Sequence, residues 1–222
     1  MKRISLLGSG LGLGLGACVA AALSVGSVRA DPAQTSQSRS VGAFRAIELA
    51  GTLEVEVAIG RPVSVEVSGE ADLVDKVTTQ VKDGVLVLDT KEIRRHNRRS
   101  SHLRAVITAP DLSALSISGT GEMKVTGIAS DKFAIDLSGT GAVTASGSVG
   151  ALRVDVAGTG EVAGRQLAAK DLAVDISGTG SARLHATRSV EARITGTGSL
   201  HVDGHPASVK KQVSGLGSIK ID

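Results

Sequence analysis

The stretch LSISGTGEMKVTG, residues 115–127, places two short alternating runs on either side of Gly-Thr-Gly. In an extended strand, residues two apart share a face. Leu115 and Ile117 therefore look one way and Ser116 the other, and Met123 and Val125 repeat the arrangement after the motif. The unit then recurs. Its first glycine falls at Gly119, Gly139, Gly158, Gly178, Gly196 and Gly215, with spacings of 20, 19, 20, 18 and 19 residues. The motifs read SGTG, SGTG, AGTG, SGTG, TGTG and SGLG. A fixed period of this length marks a stacked repeat array.

The strands leading into the motif put Ile117, Leu137, Val156, Ile176, Ile194 and Val213 on one face. The strands leaving it do the same with Met123 and Val125, Leu200 and Val202, and Ile219 and Ile221. Stacked, these positions become apolar columns lining one interior. One unit cannot bury its apolar face alone, so the array is stabilised by stacking. The corner pairs Gly119 and Gly121, Gly139 and Gly141, Gly158 and Gly160, Gly178 and Gly180, and Gly196 and Gly198 are expected to be structural. Glycine there supplies backbone angles that other residues resist, and lets coils approach at about 4.8 Å. The predicted fold is all-β, a parallel β-helix or β-solenoid with repeats of about 19 residues.

Upstream of the repeats, AIELAGTLEVEVAI (46–59), VSVEVSG (63–69) and GVLVLDT (84–90) also alternate and read as strands. EADLVDKVTTQV (70–81) fits either a helical turn or a strand pair. KEIRRHNRRSSH (91–102) breaks the pattern with one Lys and four Arg against one Glu.

Composition agrees with a narrow interior. The 222 residues include two Phe and no Trp or Tyr, so the core must be filled by Val, Leu, Ile and Ala. The first 30 residues read as a targeting segment: MKR is a charged start, an apolar run follows, and Val28 and Ala30 are the small residues a signal peptidase requires. Two alternatives stay open. LGAC (15–18) is a loose lipobox that would lipidate Cys18, and the apolar run is long enough to act as an uncleaved anchor. Residues 31–43 are expected to be a polar lead-in and residues 44–222 the folded domain. Removing residues 1–30 takes away Lys2, Arg3 and Arg29, so a balance of 25 bases against 22 acids becomes 22 against 22. The basic character of the whole chain is thus no argument for nucleic acid. The absence of interleaved aromatics that would stack bases points the same way. Every reading of the N-terminus places the domain outside the cytoplasm, in the periplasm, at the envelope or beyond.

Four groups of residues are candidates for chemistry. The outward column beside the motif runs Ser116, Asp136, Asp155, Asp175, Arg193, Gln212. Stacked carboxylates repel by roughly 0.8 kcal/mol per pair at about 5 Å in water, which calcium could relieve. A hydrated face with Arg153, Arg193 or Lys170 reaching over is the simpler reading, and whether Asp136, Asp155 and Asp175 bind calcium is left open. Thr120, Thr140, Thr159, Thr179 and Thr197 form a second column, read as a hydrogen-bonded turn ladder rather than an ice-binding row. Arg94, Arg95, Arg98 and Arg99 could hold anionic envelope polymers, because guanidinium forks match phosphate and carboxylate. His201 and His205 are four apart on a strand and turn, not on a helix, so no metal site is expected; nor is any catalytic residue or cofactor.

Three features together resemble the head GIN domain family, known as heads of auto-transporter adhesins. They are the opening FRAIELAGTLEVEVAIGRPVSVEVSGEADLVDKVTTQVKDGVLVLDT (44–90), the segment LRAVITAPDLSALSISGTGEMKV (103–125) and the S-G-T-G run. The resemblance implies a right-handed, all-β helix-like domain of bacterial envelope proteins, in keeping with the general hand of parallel crossovers. It carries over no catalytic or ligand residues. An auto-transporter needs a C-terminal translocator barrel and the sequence to GSIKID (217–222) is still a repeat strand, so an adhesin role is expected on fold-level analogy alone.

The expected function is a non-catalytic, secreted or envelope-associated interaction domain whose partner is an envelope or cell-surface component. A self-associating structural protein, joined through an uncovered solenoid end, is the second reading. A polysaccharide-active β-helix enzyme is the third. Membrane contact is expected only through the N-terminal segment, uncleaved or lipidated.

Overall fold

The computed structural model describes residues 34–90 and 103–222. Its core is a β-solenoid of about 5 turns. Four long strands make its body: β9 (Thr120–Leu137), β10 (Thr140–Val156), β11 (Thr159–Ile176) and β12 (Thr179–Ile194). Each runs from one glycine corner to the next and pairs in parallel with its successor. Register shifts at Ala145/Gly147 and Gly164/Ala168 interrupt the ladders part-way along. Such bulges bend a strand. They let one strand turn round the core and absorb repeats of unequal length.

The chain leaving each corner forms the first face. Here β3 (Thr52–Ile59), the leading halves of β9 to β12, β13 (Ser199–Asp203) and β15 (Ser218–Ile221) stack in parallel. The chain entering each corner forms the second face. It runs from β6 (Val85–Asp89) through β2 (Ala46–Leu49) and β8 (Ala114–Ile117) to the trailing halves of β9 to β12, then β14 (Ser208–Val213). Alternation decides which side chains go inward. Leu49, Ile117, Leu137, Val156, Ile176, Ile194 and Val213 stand in register, one per coil. All but Val213 are buried.

The two ends differ. At the head, β7 (Arg104–Ala109) extends the first face in parallel. Then β4 (Ser64–Glu70) and β1 (Gln34–Ser38) are added antiparallel. On the second face, β5 (Thr78–Lys82) closes antiparallel onto β6. The segment 70–81 thus divides: a single helical turn, α1 (Ala71–Val74), buries Leu73 and Val74, and β5 follows. β1 lies within the polar lead-in and pairs with the edge strand β4. Its side chains are polar, but pairing at a sheet edge needs only backbone groups. Gln37 Nε2 donates to Asp75 Oδ1 at 2.6 Å, Arg39 donates to the Val74 carbonyl at 2.8 Å, and Ser36 bonds Glu66.

The tail stays open. Every residue of β14 is exposed, and Val209, Val213 and Leu216 are 44%, 42% and 88% accessible. One inward column, Leu115, Ile135, Val154, Val174, Ala192, ends in Lys211.

Candidate functional site

The corners are tighter than any side chain permits. The first glycine of each pair, Gly119, Gly139, Gly158, Gly178 or Gly196, sits against backbone of the coil beneath. A Cβ at Gly158 would lie 2.6 Å from the Ser138 carbonyl oxygen and closer still to that of Gly139. The second glycine of each pair stands where the corner passes into the next strand. Gly121, Gly141, Gly160 and Gly180 already belong to β9, β10, β11 and β12, and Gly198 stands just before β13. Here a Cβ would strike the preceding coil. At Gly141 it would run into the Gly121 carbonyl oxygen. At Gly160 it would meet the Gly141 carbonyl oxygen and, at 2.9 Å, Leu137 Cδ2. At Gly180 it would lie 2.6 Å from Val156 Cγ1, and at Gly198 2.7 Å from Ile176 Cγ2 and 2.9 Å from the Gly180 carbonyl oxygen.

Of the two reasons expected for glycine, backbone angle and close approach, the second predominates. Among the ten paired glycines only Gly121 has a positive φ, 153°; Gly141, Gly160 and Gly198, like the other six, do not. Close approach of stacked coils, more than unusual dihedral angles, therefore excludes a side chain. The corner amides bond between coils: the Ile117 carbonyl accepts from Ser138 N and Gly139 N at 3.0 and 2.9 Å, and the Leu137 carbonyl from Ala157 N and Gly158 N at 3.0 and 3.1 Å. This arrangement leaves Thr120, Thr140, Thr159 and Thr179 in register and exposed on the outside of the turn.

On the outside of the second face, Asp136, Asp155, Asp175, Arg193 and Gln212 do stand in one row of ladder partners. Asp155, in the middle of the three carboxylates, carries a counter-charge of its own. Arg153, two residues before Asp155 on the same face, forks onto it with Nε–Oδ2 at 2.7 Å and NH2–Oδ1 at 3.0 Å. The hydrogen bond to Asp155 raises the Arg153 pKa, its charge adds to that, and Asp175 contributes at longer range. Arg153, Asp155, Asp175, Glu191, Arg193 and Lys210 line an open trough of about 480 Å³ with both signs of charge. The Asp row does not converge on a common point: among the described residues, the group of three or more donors close enough to share an ion lies elsewhere.

That group is His201, Asp203 and Asp222, whose donor atoms all lie within 4.8 Å of one another. Alternation along β13 turns His201 and Asp203 outward around buried Val202. Asp222 follows β15, whose Ile221 pairs with Val202. The last turn holds it there: Asp222 N donates to the Val202 carbonyl and His205 N to the Asp222 carbonyl, both at 2.9 Å. His201 Nε2 lies 2.7 Å from Asp222 Oδ2 and 3.1 Å from Asp203 Oδ1. Lys220 Nζ reaches Asp222 Oδ2 at 2.8 Å, and Arg165 Nε reaches the other Asp203 oxygen, Oδ2, at 3.0 Å. The Lys220 hydrogen bond, then that of His201, holds the Asp222 carboxyl below its ordinary pKa. The sequence reading paired His201 with His205 and missed this group. The signal was a His-x-Asp on an outward strand face with a second Asp one repeat after the first. His205 turns away into the Gly204–His205 bend, where φ is 54°.

Arg94, Arg95, Arg98 and Arg99 lie outside the described residues, as do Cys18 and the N-terminal targeting segment.

Fold and surface together define a β-solenoid with a predominantly aliphatic interior and charged or hydroxyl-bearing outer faces. Residues 43–206 match the family described as "Putative auto-transporter adhesin, head GIN domain", and the chain belongs to that family. Two solved structures are similar to it. A "putative adhesin" of Bacteroides fragilis is 21% identical with a TM-score of 0.72, covering 86% of this chain and 98% of its own. A "putative adhesin" of Parabacteroides distasonis is 20% identical with a TM-score of 0.54 over the same shares. At these identities the likeness establishes the fold. A search of curated proteins finds no match.

Proposed function

We propose that this chain is an exported, envelope-associated interaction domain that works without catalysis, holding an envelope or cell-surface component in an adhesin-like manner. The observation that carries this reading is the outer grid. Ladder partners repeat at about 4.8 Å along each face, and charged and hydroxyl groups occupy the outward positions. A surface of this kind suits an extended partner with a repeat of its own, such as an envelope polymer. Arg94, Arg95, Arg98 and Arg99 are the proposed contact for anionic groups on that polymer, since Arg binds phosphate and carboxylate through paired hydrogen bonds.

The test is retention of the purified full chain on peptidoglycan, outer-membrane and lipopolysaccharide fractions of the native organism, at low and high salt, with and without calcium. Retention at low salt that disappears at high salt, and in a chain with all four arginines replaced by Ala, is the expected result. Retention unchanged by the four replacements would move the contact to another surface, with Arg153→Ala/Arg193→Ala as the next variant. No retention anywhere would sink the reading. A second reading, self-association through the tail, is favoured by the exposure of Val209, Val213 and Leu216. A monodisperse monomer at high concentration, in sedimentation of the same sample, would rule it out.

A further inference from the structure

We propose that His201, Asp203 and Asp222 form a binding site for a divalent transition-metal ion of the zinc class on the outer face of the last coils. The three donor atoms come from adjacent coils and converge. One imidazole nitrogen bears at most one hydrogen and can point it at one acceptor. Yet His201 Nε2 faces two carboxylate oxygens, at 2.7 and 3.1 Å, on two different residues. An ion placed among the three satisfies all of them at once. Zinc takes His nitrogen at about 2.0–2.1 Å and carboxylate oxygen at about 2.0–2.2 Å, so tetrahedral donors sit about 3.3–3.5 Å apart. The two His201 contacts have to open by less than about 1 Å to reach that geometry, and the two carboxylate oxygens, within 4.8 Å of each other, draw together on the ion.

The surrounding charges sort into two roles. Arg165 bonds Asp203 through Oδ2 and leaves Oδ1 facing His201. It thereby orients the carboxylate without occupying the donor oxygen, as the outer partners of metal-bound carboxylates do. Lys220 bonds Asp222 Oδ2, the oxygen nearest His201. It is a competitor for the site, but its side chain is mostly exposed and is displaced without burying a charge. One imidazole and two carboxylates suit a borderline cation. Three protein donors fall well short of the six to eight oxygens calcium prefers. Because Asp222 follows β15 and the other two donors lie on β13, an occupied site ties the last rung to the one beneath it.

The experiment is equilibrium dialysis of the untagged full chain against zinc chloride, with bound metal measured by atomic emission. Parallel arms use calcium and magnesium. Expected is one zinc per chain that neither calcium nor magnesium displaces. His201→Asn and Asp222→Asn should each weaken binding more than tenfold. Arg165→Gln should weaken it about 10–100-fold as a positioning residue. Lys220→Met should leave it unchanged or tighten it, which a purely ionic role for the cluster does not predict. Circular dichroism checks that each variant is folded. Cobalt substitution supplies a second readout, a visible absorption band that vanishes in His201→Asn. No stoichiometric uptake, or uptake indifferent to His201→Asn and Asp222→Asn, overturns the site. Calcium binding as tightly as zinc overturns the assignment of ion class.

Discussion

Replacing Gly158 by Ala tests the stacking argument most directly. The added methyl would lie 2.6 Å from the Ser138 carbonyl oxygen and nearer still to that of Gly139, whereas real Cβ atoms essentially never approach within 3.0 Å. The atoms in the way are backbone, with no rotamer to change. The corner must therefore move by roughly 1 Å, and overpacking of this kind costs about 1–3 kcal/mol. The displacement also strains the bonds from Ala157 N and Gly158 N to the Leu137 carbonyl and from Thr159 N to the Gly139 carbonyl, now 3.0, 3.1 and 3.1 Å. Losing two of them adds about 1 kcal/mol each. The expected loss is about 3–5 kcal/mol. At an m-value near 2 kcal/mol per molar, that lowers the urea midpoint by about 2 M. Equilibrium unfolding followed by circular dichroism reads this shift, and midpoints are compared because stacked arrays can depart from two-state behaviour. Two other glycines calibrate the result. Gly42 has nothing within 4 Å and no positive φ, so Gly42→Ala should be neutral or stabilising by up to about 1 kcal/mol. Gly60 has equal space but a φ of 91°, so Gly60→Ala should cost about 1–2 kcal/mol. If Gly60→Ala proves more damaging than Gly158→Ala, dihedral demand and not close approach governs these turns, and the argument fails.

Two further outcomes follow from side chains that serve the fold. Asp171 accepts hydrogen bonds from Arg188 and Ser189, which hold its carboxyl at about 2 against an ordinary 3.8. A depressed folded-state pKa stabilises above the unfolded value, so this contribution is complete above pH 3.8 and fades as pH falls toward 2. Arg188→Gln should therefore lower stability near neutrality and flatten its fall between about pH 4 and pH 2, with the difference from the parent chain closing toward the acid end; a pH dependence of stability identical to the parent's would refute the pairing. Thr90 is the one buried polar side chain among the described residues, and its Oγ1 accepts from Thr52 N at 2.7 Å. Thr90→Val should cost about 1–3 kcal/mol by orphaning that amide, and Thr90→Ser should restore most of it in the same urea assay.

The body of the solenoid was legible because one rule, inward and outward alternation, repeats coil after coil. Ile117, Leu137, Val156, Ile176, Ile194 and Val213 could be aligned by motif alone, and the ladders keep that alignment. The head was less legible, because its antiparallel strands repeat nothing. β1 in particular carries Gln34, Thr35, Ser36, Gln37 and Ser38, with no apolar face to announce a strand, and it pairs through backbone groups offered by an edge. The paired glycines were found for partly the wrong reason. Sequence shows that a side chain is missing but not whether the angle or the neighbour forbids it. At Gly141, Gly160 and Gly198 it is the neighbour, a carbonyl or an aliphatic side chain of the preceding coils. The His201 group was missed because it depends on where the last turn sets Asp222, a matter of one bend rather than of the period.

Lys211 bears on how long such a stack can grow. It occupies a rung where each earlier coil has a small or branched apolar side chain, and it does so on β14, whose residues are all exposed. A further coil of the same kind, laid on β14 by another molecule, would have to bury an ammonium group beneath it. Growth by indefinite addition is thereby discouraged at its first step, much as edge strands elsewhere carry an inward charge against fibre formation. A surface that seats on this end has to offer Lys211 an acid or leave its ammonium group a path to water. A single ammonium group thus sets a chemical condition on contact at the tail that the apolar side chains beside it do not.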